Sequence, residues 1–218
     1  MELRLDHFKL YEVQAQSAVG HDPTLRGQFD QTAQTVKLLN LRQFANPVSK
    51  NGEEIHDPNA HLTVYDFATP VPDPPRFVRL ENQFGEQKLV IDLALFLLVP
   101  ALKVEKGISF PEKLDHYKCY RVVKGEPIDK EVSLKDQFDS EETAVLEPIF
   151  FGVPTLKRYG GKIEDIKNPK EHLTIYRLKE RDFQTTREFK DQFLSGKLEI
   201  FRSRALAVPS LKLEWGPA

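Results

Sequence analysis

The chain has 218 residues, of which 40% are hydrophobic and 29% are charged, and its formal net charge at pH 7 is −2. This composition is typical of a globular protein, and the length allows one large hydrophobic core or two small ones. Acidic and basic residues are mixed along the whole chain without a basic stripe, which argues against nucleic acid as a partner.

A phrase of three parts recurs along the chain at intervals of roughly 55 residues, which predicts a repeat architecture. It starts with a histidine four residues before a tyrosine, continues with Gln-Phe, and closes on Pro-x-x-Lys. We name as repeats 1 to 4 the segments that start at His7, His61, His116 and His172, each running to the next of these histidines or, for repeat 4, to the end of the sequence. In them the phrase ends at Lys50, Lys103, Lys157 and Lys212.

Each repeat is predicted to hold three strands. In the first, Phe8 and Leu10 alternate with Lys9 and Tyr11, as in a strand with one apolar face. The Gln-Phe pair ends a second strand, and a short polar turn leads to a third strand that ends at Pro-x-x-Lys, so these two form a hairpin. The four repeats together predict about twelve strands. In repeat 4, residues 187–193 also fit a helical turn.

The connections between these strands show turn chemistry. Residues 69–76 are rich in proline and predict a stiff loop. Residues 89–102 form the longest apolar run, but this run is shorter than the roughly 20 residues needed to cross a bilayer. It also carries Asp92 and Pro100, so we expect a buried strand and no membrane span. Residues 1–6 do not resemble a secretion leader.

The repeats differ in pairs. Repeats 1 and 3 share Leu-Asp-His-aromatic-Lys, and repeats 2 and 4 share His-Leu-Thr. This predicts an all-β fold of antiparallel strands in two tandem halves, residues 1–110 and 111–218, each sandwich- or barrel-like and related by pseudo-twofold symmetry. A four-bladed propeller is the alternative, because four repeats of short strands also fit that architecture.

The stretches LDHYKCYRV and NPVSKNGEEIHDPNAHLTVYDF resemble motifs of a family of bacterial, usually secreted, β-rich domains. The resemblance covers nearly the whole chain and implies architecture and an extracellular or periplasmic place, not a reaction. That family tends to carry cysteines at positions that are here occupied by Leu10, Ala45, Val64, Gly152 and Ile175. Only Cys119 remains, with its family partner place near Gly152, so the resemblance implies that packing holds this fold, and the compartment stays open.

The four repeated histidines suggest a metal site, because imidazoles that converge around an axis could hold zinc. The candidate ligands are His7, His61, His116 and His172. The simpler interpretation is that duplication placed a histidine at the start of a strand in each repeat, where it bonds to backbone or to a loop. Metal ligands would also need a matching geometry and second shell of hydrogen bonds.

One loop carries oxygen side chains at alternate positions, as a calcium loop does. These are Ser49, Asn51, Glu53 and Asp57. The pattern departs from the strong calcium motif, because Glu54 stands where glycine is needed and the corresponding loop of the second half carries Arg158 and Lys162. Asn-Gly and Asp-Pro are ordinary turn chemistry as well.

No catalytic motif is evident. There is no Gly-x-Ser-x-Gly, no phosphate loop and no predicted cofactor, and Cys119 lies on the apolar face of its strand, where it predicts a core residue. Trp215 could form a platform for a sugar ring, or it could fix the chain terminus to the sheet.

We therefore expect a non-enzymatic binding or structural module, extracellular or at the cell surface, with an unknown protein or carbohydrate ligand. One alternative is a metal-assisted hydrolase whose residues converge from several repeats. Another is a subunit of a filament or shell that associates with itself through exposed strand edges.

Overall fold

The computed structural model describes residues 4–68, 73–105 and 107–218, and its regular secondary structure is entirely β. Residues 1–3 of the predicted leaderless start and residues 69–72 of the predicted proline-rich loop lie outside this range. No helix long and apolar enough to cross a membrane occurs in the described residues. The strands are β1 (His7–Ser17), β2 (Thr24–Gly27), β3 (Gln34–Thr35), β4 (Lys37–Lys50), β5 (His61–Ala68), β6 (Arg76–Asn82), β7 (Gly85–Lys103), β8 (His116–Lys124), β9 (Lys130–Lys135), β10 (Ser140–Tyr159), β11 (Lys162–Glu164), β12 (Glu171–Lys190) and β13 (Ser195–Pro217).

Eight of these strands close into a ring. Its order is β1-β4-β5-β7-β8-β10-β12-β13, with β13 pairing back to β1, and every pairing is antiparallel. Each repeat supplies two neighbours in this ring: the strand that begins at its histidine, here called the histidine strand, and the long strand that ends at Pro-x-x-Lys. The prediction of an all-β antiparallel fold is confirmed.

The two halves of the chain each supply four consecutive ring strands. Residues 1–110 contribute β1, β4, β5 and β7, and residues 111–218 contribute β8, β10, β12 and β13. They meet where β7 pairs with β8 and where β13 pairs with β1. All thirteen strands belong to one connected sheet, so the structure does not have the separate blades of the propeller alternative.

Alternation along the histidine strands decides which side chains fill the ring. Phe8 and Leu10 are buried in a cluster to which ring strands from all four repeats contribute. Residues from every side of a closed ring can meet only on its inner face, so this cluster is the ring interior. Small residues leave room for the large ones: a Cβ placed on Gly152 would lie 3.2 Å from Cys119 Sγ. The predicted apolar face, including buried Cys119, is confirmed.

The outer face of the ring is covered by the predicted hairpins. Each hairpin pairs with the end of the long strand two repeats away: β2 with β10, β6 with β13, β9 with β4, and the end of β12 with β7. Opposite repeats are thereby clasped together. The end of β12 covers residues 187–190, so the helical alternative for this segment is wrong.

The tyrosines and the Gln-Phe phenylalanines pack between ring and hairpins. Each tyrosine meets the phenylalanine of the repeat opposite, with ring centroids 5.3 to 5.5 Å apart and steep interplanar angles. The pairs are Tyr11 with Phe138, Tyr65 with Phe193, Tyr120 with Phe29, and Tyr176 with Phe84. This edge-on packing is the geometry that aromatic rings prefer, and it repeats in all four places.

Candidate functional site

The four repeated histidines lie at four separate junctions between neighbouring repeats, and each histidine has its own partner. His7 Nδ1 is 3.6 Å from a carboxylate oxygen of Glu53, and His61 stacks on Phe44 with ring centroids 5.3 Å apart. His116 Nε2 lies 3.2 Å from a carboxylate oxygen of Glu164, and His172 hydrogen-bonds to the Gln28 side chain. The structure does not bring the four together, and within the described ranges no group of three or more His, Cys, Asp or Glu residues is placed to hold a metal ion.

At each junction, the three parts of the recurring phrase come together from two neighbouring repeats. The histidine and the Pro-x-x-Lys lysine of one repeat meet the Gln-Phe glutamine of the next. The four clusters are His7, Lys50 and Gln83; His61, Lys103 and Gln137; His116, Lys157 and Gln192; and His172, Lys212 and Gln28. Because Gln28 of repeat 1 bonds to His172 and Lys212 of repeat 4, the phrase closes the ring as well as linking its neighbours.

These histidines are neutral at physiological pH. Burial, more than any other influence, lowers the pKa of His7, His61 and His172 to about 4. Burial also holds the pKa of His116 well below its usual range, and the positive charge of Lys157 lowers it further. A neutral imidazole can pack on an aromatic ring, as His61 does on Phe44, and hydrogen-bond to an amide, as His172 does to Gln28.

The lysines of three clusters are paired with carboxylates of their own repeat. The N–O distances are 3.0 Å for Lys50–Glu53, 2.8 Å for Lys103–Glu105 and 3.1 Å for Lys157–Glu164. These ion pairs join neighbouring parts of the fold and mark the junctions as structural, although several imidazole nitrogens there, including both of His61, have no hydrogen-bond partner among the described residues.

The four oxygen-bearing side chains predicted to bind calcium form separate hydrogen bonds within the protein. Ser49 Oγ donates to the Glu53 carbonyl at 2.6 Å, and Asn51 Oδ1 accepts from the Ser133 amide at 2.9 Å. The Glu53 carboxylate accepts from Lys50 and Gln83, and that of Asp57 accepts from the Asn59 amide. Positive φ angles of 52° at Asn51 and 83° at Gly52 show the tight turn that the Asn-Gly pair predicts.

The place where all four repeats do converge is one end of the ring interior. A cavity of about 360 Å³ opens there, towards the ends of the histidine strands, and we call it the cup. Its floor is made by one position from each repeat, Leu10, Val64, Cys119 and Ile175. These four side chains are at most 3% exposed, so the floor is rigid and apolar.

The wall of the cup is also largely apolar. Phe96 and Phe150 face each other edge to face with centroids 5.0 Å apart, and Ile149 and Val122 lie beside them. Burial raises the pKa of the Cys119 thiol, so the sulfur in the floor is protonated and acts as an apolar group. The cup therefore offers apolar surface and no reactive nucleophile.

Four ion pairs form a rim on the ring, and the arginines of three of them, Arg121, Arg177 and Arg204, line the cup. Each pair joins the long strand of one repeat to the histidine strand of the next, at all four junctions of the ring. The pairs and their N–O distances are Arg42–Asp66 (2.7 Å), Arg121–Asp92 (2.5 Å), Arg177–Glu147 (2.6 Å) and Arg204–Glu12 (2.6 Å). A hydrogen bond from Arg121 lowers the pKa of Asp92, and the formal charges of the rim cancel.

The residues of this rim also follow a repeated sequence pattern, which is separate from that of the histidines. Every repeat carries a charged residue directly after its tyrosine, and the sign is negative in repeats 1 and 2 and positive in repeats 3 and 4. The opposite charge stands on the long strand of the preceding repeat. Which charge faces which could be known only once the ring order was known.

A second, larger cavity of about 890 Å³ lies at the opposite end of the ring. Residues 107–114, which join the two halves, form part of its lining, together with the starts of histidine strands. Asp6 and Asp115 shape this end by accepting backbone amides of the loops that precede β5 and β12. Its lining is mixed in chemistry and comes mainly from loops, so it lacks the repeated floor of the cup.

Comparison with known proteins agrees with the repeat plan. The chain matches no curated protein and no solved structure. A family model described as a repeat of unknown function (DUF7450) matches residues 61–209, which is more than half of the chain and begins and ends inside the predicted repeats. The chain therefore belongs to this family, the repeat of unknown function DUF7450.

Proposed function

We propose that the protein is a non-enzymatic binding module and that the cup is its binding site. The observation that carries this proposal is the convergence of one apolar residue from each of the four repeats on a single concave floor. Sites for small molecules are typically concave and mostly apolar, with a few polar groups at defined places. The cup has these properties, and its volume lies at the small end of the usual range.

The chemistry of the rim indicates the class of ligand. Each arginine at the cup has a carboxylate partner, so an anionic ligand would have to displace an existing ion pair and leave a carboxylate unpaired. An uncharged ligand faces no such cost. We therefore assign the cup to a small neutral molecule whose apolar body lies between Phe96 and Phe150 and whose polar group reaches Gln43 or the rim.

The ring closure favours this function over assembly through strand edges. Each of the eight ring strands has a neighbour on both sides, so the ring itself offers no free edge to a second copy. The motif resemblance to usually secreted domains supports a place outside the cytoplasm, where the open end of the cup is in contact with dissolved molecules.

A titration with the neutral fluorescent probe N-phenyl-1-naphthylamine tests the proposal. The wild-type protein should give a saturable rise in probe fluorescence with a stoichiometry of one. Ile149→Trp, which fills the cup, should weaken this binding by about tenfold or more. The matched control is Val123→Trp on β8, where the side chain is 51% exposed, and it should bind like the wild type.

Thermal unfolding of each variant shows whether it is folded. If Ile149→Trp does not fold, Gln43→Trp at the rim blocks the same mouth and takes its place. The proposal is wrong if the wild type gives no saturable signal, or if the blocked and control variants bind the probe equally well.

A further inference from the structure

The fourth junction cluster differs from its three sisters in charge. Lys50, Lys103 and Lys157 each have a carboxylate of their own repeat within 3.1 Å. Lys212 has no carboxylate within 4.0 Å in the part of the chain that the structure describes, although it keeps the glutamine and histidine contacts of the other clusters. Three of the four clusters therefore show that this lysine position accommodates a carboxylate, and the Lys212 cluster has none among the described residues.

The nearest candidate for an internal partner, Glu214, is directed elsewhere. It follows Lys212 by two residues, the same spacing by which Glu105 follows Lys103. In β13, however, the register with β6 shifts between Lys212 and Glu214, and the Glu214 carboxylate lies 3.8 Å from Arg79. The β-bulge thus separates the two charges that are paired in repeat 2.

Two aromatic rings border the ammonium group of Lys212. Its Nζ atom lies 5.2 Å from the centre of the Phe29 ring and 5.5 Å from that of Trp215. The two rings pack against each other at 4.8 Å, and Trp215 is 43% exposed. Trp215 does lie on the paired C-terminal strand, as one of the two sequence interpretations expected, but much of its ring also remains open to a ligand.

We propose that Lys212, Gln28, Phe29 and Trp215 form a binding site for a ligand carboxylate whose ring-shaped body lies on the Trp215 face. The ligand carboxylate would take the part that Glu53, Glu105 and Glu164 play in the sister clusters. Half-burial of an ammonium group without a counter-charge is unfavourable, so a charge-assisted bond formed here is worth more than one on an open surface.

The protonation of Lys212 agrees with this geometry. Burial lowers the pKa of Lys212 to about 8, and no neighbouring carboxylate offsets it. The amine is therefore mainly charged at neutral pH and has no internal ion pair to break.

This site is distinct from the cup and does not depend on the proposed function. His172, at the start of β12, marks the Lys212 cluster, whereas Arg177 on the same strand marks the rim of the cup. Five residues of extended strand separate them by roughly 16 Å. Ligands at the two sites can therefore be told apart by which variant abolishes binding.

The natural reporter for this site is Trp215, because it is the only tryptophan of the chain. Its fluorescence should change saturably with benzoate or with glucuronate, and about tenfold more weakly or not at all with the neutral analogues benzamide and glucose. Binding of benzoate alone would identify an aromatic body, and binding of glucuronate alone a sugar body; either supports the site.

Two lysine variants complete the test. Lys212→Met should abolish the response to both carboxylates, whereas Lys103→Met, at the corresponding place in repeat 2, should leave it intact. Lys212→Arg keeps the charge and should retain binding, which separates loss of charge from loss of fold. The site is refuted if wild type shows no saturable response, if neutral analogues bind equally well, or if Lys212→Met binds as wild type does.

Discussion

The Tyr11 hydroxyl donates a hydrogen bond to Asp136 Oδ2 at 2.8 Å, which ties the first strand of repeat 1 to the hairpin of repeat 3. Repeats 2 and 4 are joined in the same way, by Tyr65 and Asp191 at 2.6 Å. At the corresponding place in repeat 3, the buried Tyr120 hydroxyl has no hydrogen-bond partner among the described residues. One position thus serves two different roles within one chain.

This difference predicts unequal effects of the same substitution. Tyr11→Phe should lower the free energy of unfolding by about 1–2 kcal/mol, because Asp136 loses a partly buried hydrogen bond. Tyr120→Phe should change it by less than about 0.5 kcal/mol, because no bond is lost. Urea unfolding of both variants and the wild type checks this, and equal losses would contradict the assigned bonds.

The buried lysine of repeat 1 provides a second prediction. Lys9 Nζ lies 2.5 Å from Glu141 Oε1, and both side chains are at most 3% exposed. Lys9→Met should cost about 3 kcal/mol, because the buried Glu141 carboxylate would lose its closest partner and keep only Arg181 at 3.7 Å and Ser203 at 3.4 Å. Adding Glu141→Leu should recover part of that loss, as expected when both charges of a buried pair are removed.

The matched control for this pair is Arg79→Met, which breaks an exposed ion pair with Glu86 and should cost less than about 1 kcal/mol. Denaturant unfolding measures these variants together with Glu141→Leu alone and the wild type. If the double variant is as unstable as the sum of the single ones, Lys9 and Glu141 are not coupled.

The buried histidines predict that stability falls in mild acid. His7, His61 and His172 have a pKa of about 4 in the folded protein against an ordinary value of 6.5. The unfolded chain therefore binds protons more tightly, so stability is full above pH 6.5 and is lost as the pH falls towards 4. Each histidine accounts for about 3 kcal/mol across this window.

The histidine at position 61 allows a direct check, because its ring stacks on Phe44 and neither ring nitrogen has a hydrogen-bond partner in the described residues. His61→Phe should leave stability at pH 7.5 nearly unchanged and raise it at pH 5. A urea midpoint that falls as steeply with pH in His61→Phe as in the wild type would contradict this. Urea midpoints between pH 4.5 and 7.5 measure the effect.

The ring interior predicts that a disulfide can be introduced. A Cβ at Gly152 would lie 3.2 Å from Cys119 Sγ, close to the roughly 3 Å between a Cβ and the opposite sulfur in a disulfide. Gly152→Cys should therefore oxidise to a bond with Cys119, which intact mass and thiol counting would detect. Persistence of two free thiols after oxidation would show that the two strands are not in this register.

Much of the local structure was predictable from the sequence. The alternation of Phe8 and Leu10 with Lys9 and Tyr11 identified the apolar face, but Lys9 and Tyr11 on the other face are buried as well, under the hairpins. Leu10 and Ala45, two positions at which the similar family tends to carry cysteines, are register partners. The predicted hairpins are present. The strand count exceeds the expected twelve by one, because the short strands β3 and β11 were not foreseen and because β12 joins two predicted strands of repeat 4 into one.

The long-range pairing was not predictable, and the candidate site depends on it. Gln28 meets Lys212 across 184 residues, and Arg204 meets Glu12 across 192. Local propensity says nothing about such contacts, because they follow from the closure of the ring and not from strand formation. The histidines were singled out because they repeat, but repetition here marks the joints of the scaffold. The floor of the cup is built from one buried position in each repeat, and no local sequence pattern predicts that these positions come together.

The most direct test of the central claim is a methyl NMR titration of the wild-type protein with N-phenyl-1-naphthylamine. The account predicts that chemical shifts move at the methyl groups of Leu10, Val64 and Ile175 on the cup floor, and not at the exposed Val19 and Ile163. Shifts confined to Val19 or Ile163, or no shifts at saturating probe, would contradict the assignment of the cup as the binding site.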